Sequence, residues 1–360
     1  MVPKKQLTFF VSSIWRRTLP HTPLLYPFWG NALDPKKVPF QHDLFERYSF
    51  DITKYAITED PAKADLIFMP YSHNLVRKYA PELFAQCVSE AKKQDKFLLI
   101  DGVGDIEHPI SIPRTLVLRA GGYRFSKKEN EIHIPFYGDD LLEAYCQGQL
   151  QIRQKSEKAT IGFSGWANIT PQQELRVLIK ELPIRILSIF DSRFKACRKG
   201  IFFRRQALAV LNSSSLVDSD FLMRPTYSGH RNDAAGDQAL LRREFVDNLL
   251  KNDYSLDVRG DANASIRLAE IISVGRIPVI VDTERNFPFS DVLDYSSFSL
   301  IINFREISRL PQILSKFHSS LTPEKFETMQ KNARDAYRNF FRVDALTGQL
   351  MDEIEKKIHL

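Results

Sequence analysis

Residues 254–282 constrain the fold more tightly than any other part of the chain. Tyr254-Ser255-Leu256-Asp257-Val258 alternates as a strand does, and Arg259-Gly260-Asp261-Ala262-Asn263 is a turn rich in small residues. Ser265–Val274 has helical spacing, with Leu268, Ile271 and Ile272 facing inward. Gly275 stands where a helix end calls for a left-handed residue. Ile277-Pro278-Val279-Ile280-Val281 is then wholly apolar up to Asp282, with the proline at the strand start, where a missing N–H is tolerable. Strand, helix and strand in so short a span make a βαβ unit, with parallel strands and a right-handed crossover.

The rest of the chain repeats the α/β rhythm. Candidate strands before the middle are Leu7–Ser12, Asp65–Met69, Phe97–Ile100 and Thr115–Leu118, with Glu131–Phe136 as a fifth. A helix is expected over Asn74–Ala91. The polar run 147–158 lacks a sustained apolar stripe and reads as an interdomain linker. A strand restarts at Ala159–Phe163. Thr170-Pro171-Gln172-Gln173 follows as a capped helix start, with Leu175, Leu178, Ile179 and Leu182 as one expected buried face. A further helix is expected over about Asp237–Lys251, and Phe298–Ile302 reads as a last strand. These features divide the chain into domains at 1–150 and 159–335, with a helical tail at 336–360.

The 360 residues carry 50 Lys and Arg against 44 Asp and Glu, a formal charge of +6. That excess permits an anion-binding cleft but does not indicate nucleic acid, and no basic run with interleaved aromatics appears. Cys87, Cys146 and Cys197 are far apart and form no CxxC pair, so they read as reduced thiols in a reducing compartment. The apolar run Leu7–Val11 is too short for a signal-peptide core or a membrane span. A cytoplasmic location is therefore expected, and peripheral contact with a membrane surface stays open.

Open parallel sheets bind ligands beyond the carboxyl ends of their strands. The turn Arg259–Asn263 lies at such an end and opens a helix, whose N-terminus carries about half a positive charge. Gly260 and Ala262 allow close backbone approach, and Arg259 and Arg267 can add forked charges suited to a diphosphate. Glu270, about one turn after Arg267, can accept two bonds from a ribose diol. The plain alternative makes Gly260 a turn glycine and Glu270 a solvated helix charge. Gly162-Phe163-Ser164-Gly165 offers a second site of close approach, with Arg176 and Arg224 as candidate phosphate partners or ordinary surface arginines. His73, Asp101 and Asp105 each follow a first-domain strand and are the candidate general bases. Asp218-Ser219-Asp220 is a DxD that could hold a metal in a sugar transferase, though so short a pattern often arises by chance. Neither Gly-x-Ser-x-Gly nor a P-loop lysine is present, against hydrolase and NTPase readings.

The segment Asp253 to Glu270, continuing through Gly275-Arg276-Ile277-Pro278-Val279-Ile280-Val281-Asp282-Thr283 and Phe287-Pro288-Phe289, resembles the signature of the exostosin family of glycosyltransferases. Tyr295 stands near where that family usually has a tryptophan. Weaker echoes are Pro61–Leu66, Asn130–Phe136, Gly162–Gly165, Met223-Arg224-Pro225 and Arg243-Glu244-Phe245. The resemblance implies a GT-B fold, in which two Rossmann-like α/β domains with parallel sheets face each other across a cleft. It implies an inverting transferase that moves a sugar from a nucleotide sugar, usually a UDP sugar, to a carbohydrate hydroxyl without obligate metal or other cofactor. Donor binding would fall mainly to the second domain and acceptor binding to the first. Arg259, Gly260, Ser265, Arg267 and Glu270 fall on the nucleotide-sugar motif, where Arg259 is the expected catalytic cation that stabilises the departing diphosphate, and Gly165, Arg176, Arg224 and Asn263 are expected to bind the donor with them. Many relatives carry a membrane anchor; without one, a cytoplasmic enzyme of surface-polysaccharide assembly is expected. The rival expectation is a non-catalytic nucleotide-sugar- or glycan-binding protein on the same fold.

Overall fold

The computed structural model describes residues 6–224 and 238–359. Pro225 and Asp237 of the sequence features above lie outside the described residues. Two parallel sheets form, one in each half. The first has six strands: β1 (Leu7–Phe10), β2 (Tyr55–Thr58), β3 (Leu66–Phe68), β4 (Leu98–Asp101), β5 (Thr115–Arg119) and β6 (Glu131–His133), in the order β2-β1-β3-β4-β5-β6. The second has five: β7 (Thr160–Trp166), β8 (Asp218–Arg224), β9 (Tyr254–Asp257), β10 (Ile277–Asp282) and β11 (Leu300–Asn303), in the order β11-β10-β9-β7-β8. This is the expected architecture of two Rossmann-like α/β domains with parallel sheets. In each sheet the strand order reverses beside the first strand, so each has a topological switch point. In the second sheet that point lies between β7 and β9.

The βαβ unit forms as its pattern demands. Its helix runs Ile266–Ser273, and Gly275 takes φ +65° behind it. β9 and β10 are buried throughout, as strands covered on both faces should be. Two strands escaped the sequence pattern. β2 is only partly buried, and β8 has no fully buried residue because it lies at the sheet edge. The helix expected over 74–91 is two helices, His73–Tyr79 and Pro81–Lys93. Pro81 disfavours helical geometry at Ala80, which has φ −150° and ψ 55°.

The halves are tightly joined. Gly138 packs so closely on the Ile266–Ser273 helix that a Cβ there would stand 2.5 Å from Ala269 Cβ. Arg334 donates to both carboxylate oxygens of Asp140, at 2.6 and 3.1 Å. Arg124 likewise grips Asp282, at 3.2 and 2.7 Å. The C-terminal helix Val343–Ile358 is not a free tail. Leu346, Leu350 and Ile354 are buried in one cluster with Leu7, Phe9 and Ile132 of the first domain. Each of the three cysteines is a free thiol. Among the described residues, no helix is long and apolar enough to cross a membrane.

Candidate functional site

A cleft of about 720 Å³ opens between the two halves at the carboxyl ends of their strands. The second domain supplies most of it. The end of β7 contributes Ser164, Gly165 and Trp166, and the turn after β9 contributes Gly260 to Ala262. The next helix contributes Ser265, Ile266, Arg267 and Glu270. Arg224 reaches the cleft from β8, whose register sets it directly beside Trp166. The same register places Asp218 opposite Thr160, at the amino end of the strands and far from the cleft. There Asp218 pairs with Lys158 at 2.6 Å. Asp220 lies 3.3 Å from Lys251 and accepts bonds from Asn248 and Asn252. Asp218 and Asp220 are thus engaged in strand-edge partnerships away from the cleft.

The cleft therefore brings together Gly165, Arg224, Gly260, Ser265, Arg267, Glu270 and Asp105. Ser265 is the N-cap of the Ile266–Ser273 helix, with extended geometry and no side-chain cap bond. The first-turn N–H groups thus receive no cap bond from the Ser265 side chain, and this end of the helix lines the cleft through Ser265, Ile266 and Arg267. Arg267 lies 4.5 Å from the Phe163 ring centroid, and Gly165 makes room for its guanidinium. Arg224 is steadied by Glu244 at 2.5 Å.

Arg259 requires a correction. Its side chain is 1% exposed and does not line the cleft. The guanidinium donates to the backbone carbonyls of Ala196 and Arg198 and to those of its own turn at Gly260 and Asp261. Gly200 seals the same place: a Cβ there would stand 2.3 Å from the carbonyl oxygens of both Arg259 and Gly260. Burial lowers the Arg259 pKa from its ordinary value. Arg259 is thus a clamp beneath the cleft-lining turn at Gly260–Ala262, not a side chain on the cleft surface. Asn263 is also buried and serves the domain junction, its amide donating to the carbonyls of Gly122 and Thr283. Arg176 points to solvent on the exposed side of its helix, outside the cleft.

Two of the three candidate bases are elsewhere as well. His73 is buried against Phe84 and His108, and burial lowers its pKa. Asp101 is buried and accepts the Val103 N–H at 2.9 Å. Burial pushes its pKa up to about 6. Neither lines the cleft, whereas Asp105 is exposed on its first-domain wall.

Three cleft residues were missed by sequence reasoning. Arg242 pairs with Glu270 at 2.6 Å and lies 3.9 Å from Asp139, itself held by Arg47 at 3.1 Å. Burial raises the Asp139 pKa, opposed by Arg242 and Arg47. Arg204 ties the two strand ends together, donating to the carbonyls of Trp166 at 2.7 Å and Arg259 at 3.2 Å. Arg242 directly precedes the Arg243-Glu244-Phe245 echo and is not singled out by the sequence, because only tertiary packing brings it to Glu270.

Comparison with known proteins bears on the same region. Residues 188–317 match the Exostosin GT47 domain, a span that includes the turn after β9 and all of the Ile266–Ser273 helix. A probable glycosyltransferase of Arabidopsis thaliana is 39% identical over 77 residues, covering 21% of this chain and 15% of that protein. The Exostosin-1 homolog of Caenorhabditis elegans is 24% identical over 118 residues, covering 32% of this chain and 30% of that protein. The matched segments thus span less than a third of these relatives. Among solved structures, Anabaena HepE in complex with UDP aligns over 98% of this chain and 100% of that one, at 10% identity and a TM-score of 0.38. The sequence signature and the family match thus fall on the same part of the chain, the segment that supplies the turn after β9 and the Ile266–Ser273 helix to the cleft.

Proposed function

We propose that the protein transfers a glycosyl group from a UDP sugar to a carbohydrate hydroxyl, with inversion, in the assembly of a surface polysaccharide or other glycan. The observation that carries this reading is the convergence of Arg224, Arg267, the Gly260 turn and an open helix N-terminus on one wall of the interdomain cleft. The exostosin signature falls on that same wall. The donor diphosphate would lie against this positive surface, with the ribose diol on Glu270. Arg242 holds that carboxylate in place.

The acceptor enters from the first-domain wall. Its hydroxyl attacks the anomeric carbon in line, and the bond from that carbon to the diphosphate oxygen breaks. The hydroxyl proton passes to Asp105, and UDP leaves with the electron pair of the broken bond. Arg224, Arg267 and the helix N-terminus meet the charge that develops on the leaving group, where one well-placed donor is worth about 3–4 kcal/mol. This chemistry supplies its cationic stabilisation from side chains and backbone and needs no metal, so turnover should survive EDTA.

The test is transfer assayed over a panel of nucleotide sugars, with Asp105→Asn beside the wild type. The variant should lose about 100-fold in kcat with little change in donor KM. Unchanged turnover would remove Asp105 as the base. Binding of nucleotide sugars without any transfer or donor hydrolysis would favour a non-catalytic binding protein.

A further inference from the structure

The helices Pro171–Lys180 and Leu182–Phe190 leave their apolar surface uncovered. The spacing of Leu175, Ile179 and Leu182 predicts a core-facing stripe, yet neither helix has a buried residue. Ile186, Ile189 and Phe190 extend the exposed surface, Ile189 being 78% and Phe190 84% accessible. The first helix is well defined, its Thr170–Gln173 capping box closed in both directions. So much contiguous apolar surface on formed helices marks a contact site.

The charge around it identifies the partner. Residues 170–199 hold seven Lys and Arg against three Asp and Glu, which is +4 of the chain's formal +6. A second hollow, of about 570 Å³, lies against the Leu182–Phe190 helix and is lined by Arg185, Lys195, Arg198 and Arg305 together with Phe203 and Phe304. Its acids are few. Glu181 lies 3.9 Å from Arg185 and 4.0 Å from Arg198, and Glu284 pairs with Arg305 at 3.2 Å. The Nε groups of Arg185 and Arg198 are buried without a hydrogen bond. Burial, with Arg185 nearby, lowers the Arg198 pKa. A second copy seated on this face would bring like charge against like charge, because a two-fold contact pairs each patch with itself. An anionic lipid surface suits both features: apolar side chains enter the interface, and guanidinium groups meet lipid phosphates.

We propose that this helix pair and its basic hollow dock the protein on an anionic membrane surface. The docking segment leaves the cleft wall after Trp166 and returns to it at Ile201, so it borders the candidate site along the chain. The proposal does not depend on the chemistry assigned to the cleft.

Sedimentation of the full chain with phosphatidylcholine vesicles, with and without phosphatidylglycerol, tests it. Binding should be roughly tenfold or more tighter to the anionic vesicles and should weaken as salt is added. The Ile189→Ser/Phe190→Ser double variant and the Arg185→Gln/Arg198→Gln double variant should each lose most of that binding. Thermal unfolding of the Ile189/Phe190 variant checks that the fold survives, both positions being surface ones. Three outcomes would overturn the proposal: no binding to either vesicle, equal binding to both, or a solution dimer that Phe190→Ser dissolves.

Discussion

Arg242 and Glu270, on different helices of the second domain, meet at 2.6 Å in the wall of the interdomain cleft, with 13% and 9% of their side chains exposed. Removing one member of such a pair strands the other charge. Arg242→Ala should therefore cost about 3 kcal/mol of stability, read by urea unfolding, and should weaken UDP binding as Glu270 loses its orientation. The double variant Arg242→Ala/Glu270→Ala should be more stable than Arg242→Ala alone. Strict additivity of the two single changes would mean that the pair contributes nothing as a pair.

Gly165 and Arg267 set a second constraint. A Cβ at Gly165 would stand 2.8 Å from Arg267 Nη2. The guanidinium is the far end of a flexible side chain and can give way, but Gly165 also holds φ +158°, so Gly165→Ala should both displace Arg267 and strain the backbone at the end of β7. The expected result is a loss in donor affinity of about tenfold, or ~1.4 kcal/mol, together with a lowered unfolding midpoint, the backbone strain costing about 1 kcal/mol or more. Titration calorimetry with UDP reads the affinity.

Arg259 separates clamp from contact. If its guanidinium only holds the turn, Arg259→Ala should cost about 3 kcal/mol by leaving buried carbonyls of Ala196, Arg198 and Asp261 unpaired. Donor affinity and kcat should then fall together as the turn loosens. A variant of full stability that lost only kcat would return Arg259 to direct contact with the leaving group.

Asp101 predicts a pH signature. Burial raises its pKa from 3.8 to about 6, so the folded protein holds this proton more tightly than the unfolded chain. Its ionisation therefore removes stability as pH rises from about 4 to about 6. Asp101→Asn should gain on the wild type through that window and hold the gain above it, by about 1–3 kcal/mol. His73 and His133 act in the opposite sense. Burial lowers both pKa values, His133 to about 4, so their protonation destabilises the fold as pH falls. The quantity to measure is thus the difference between Asp101→Asn and wild type in thermal unfolding across pH, which cancels the histidines. A difference that does not vary between pH 4 and 6 would contradict the buried, proton-holding carboxyl.

Local pattern carries a large share of this molecule. The βαβ unit at 254–282, the glycine at φ +65° behind its helix and the Thr170–Gln173 capping box follow from residue spacing and cap chemistry, which act over a few residues. The loop at the end of β9 was legible for the same reason: strand ends and helix starts place backbone N–H groups wherever they occur. Side-chain direction was not legible. Arg259 carries the charge that a diphosphate site calls for, but four backbone carbonyls draw it inward, and no neighbouring residue announces them. Arg242 finds Glu270 across 28 positions, and edge strand β8 is defined by its register with β7 rather than by an apolar alternation. The stripe Leu175–Leu182 shows the converse limit. Helical spacing fixed the helix, but whether that face meets a core, a partner or a lipid surface depends on what the rest of the chain leaves to cover it. Periodicity and capping are properties of short segments and survive in the sequence. Pairing, burial and orientation are set by distant residues that meet only once the chain has folded.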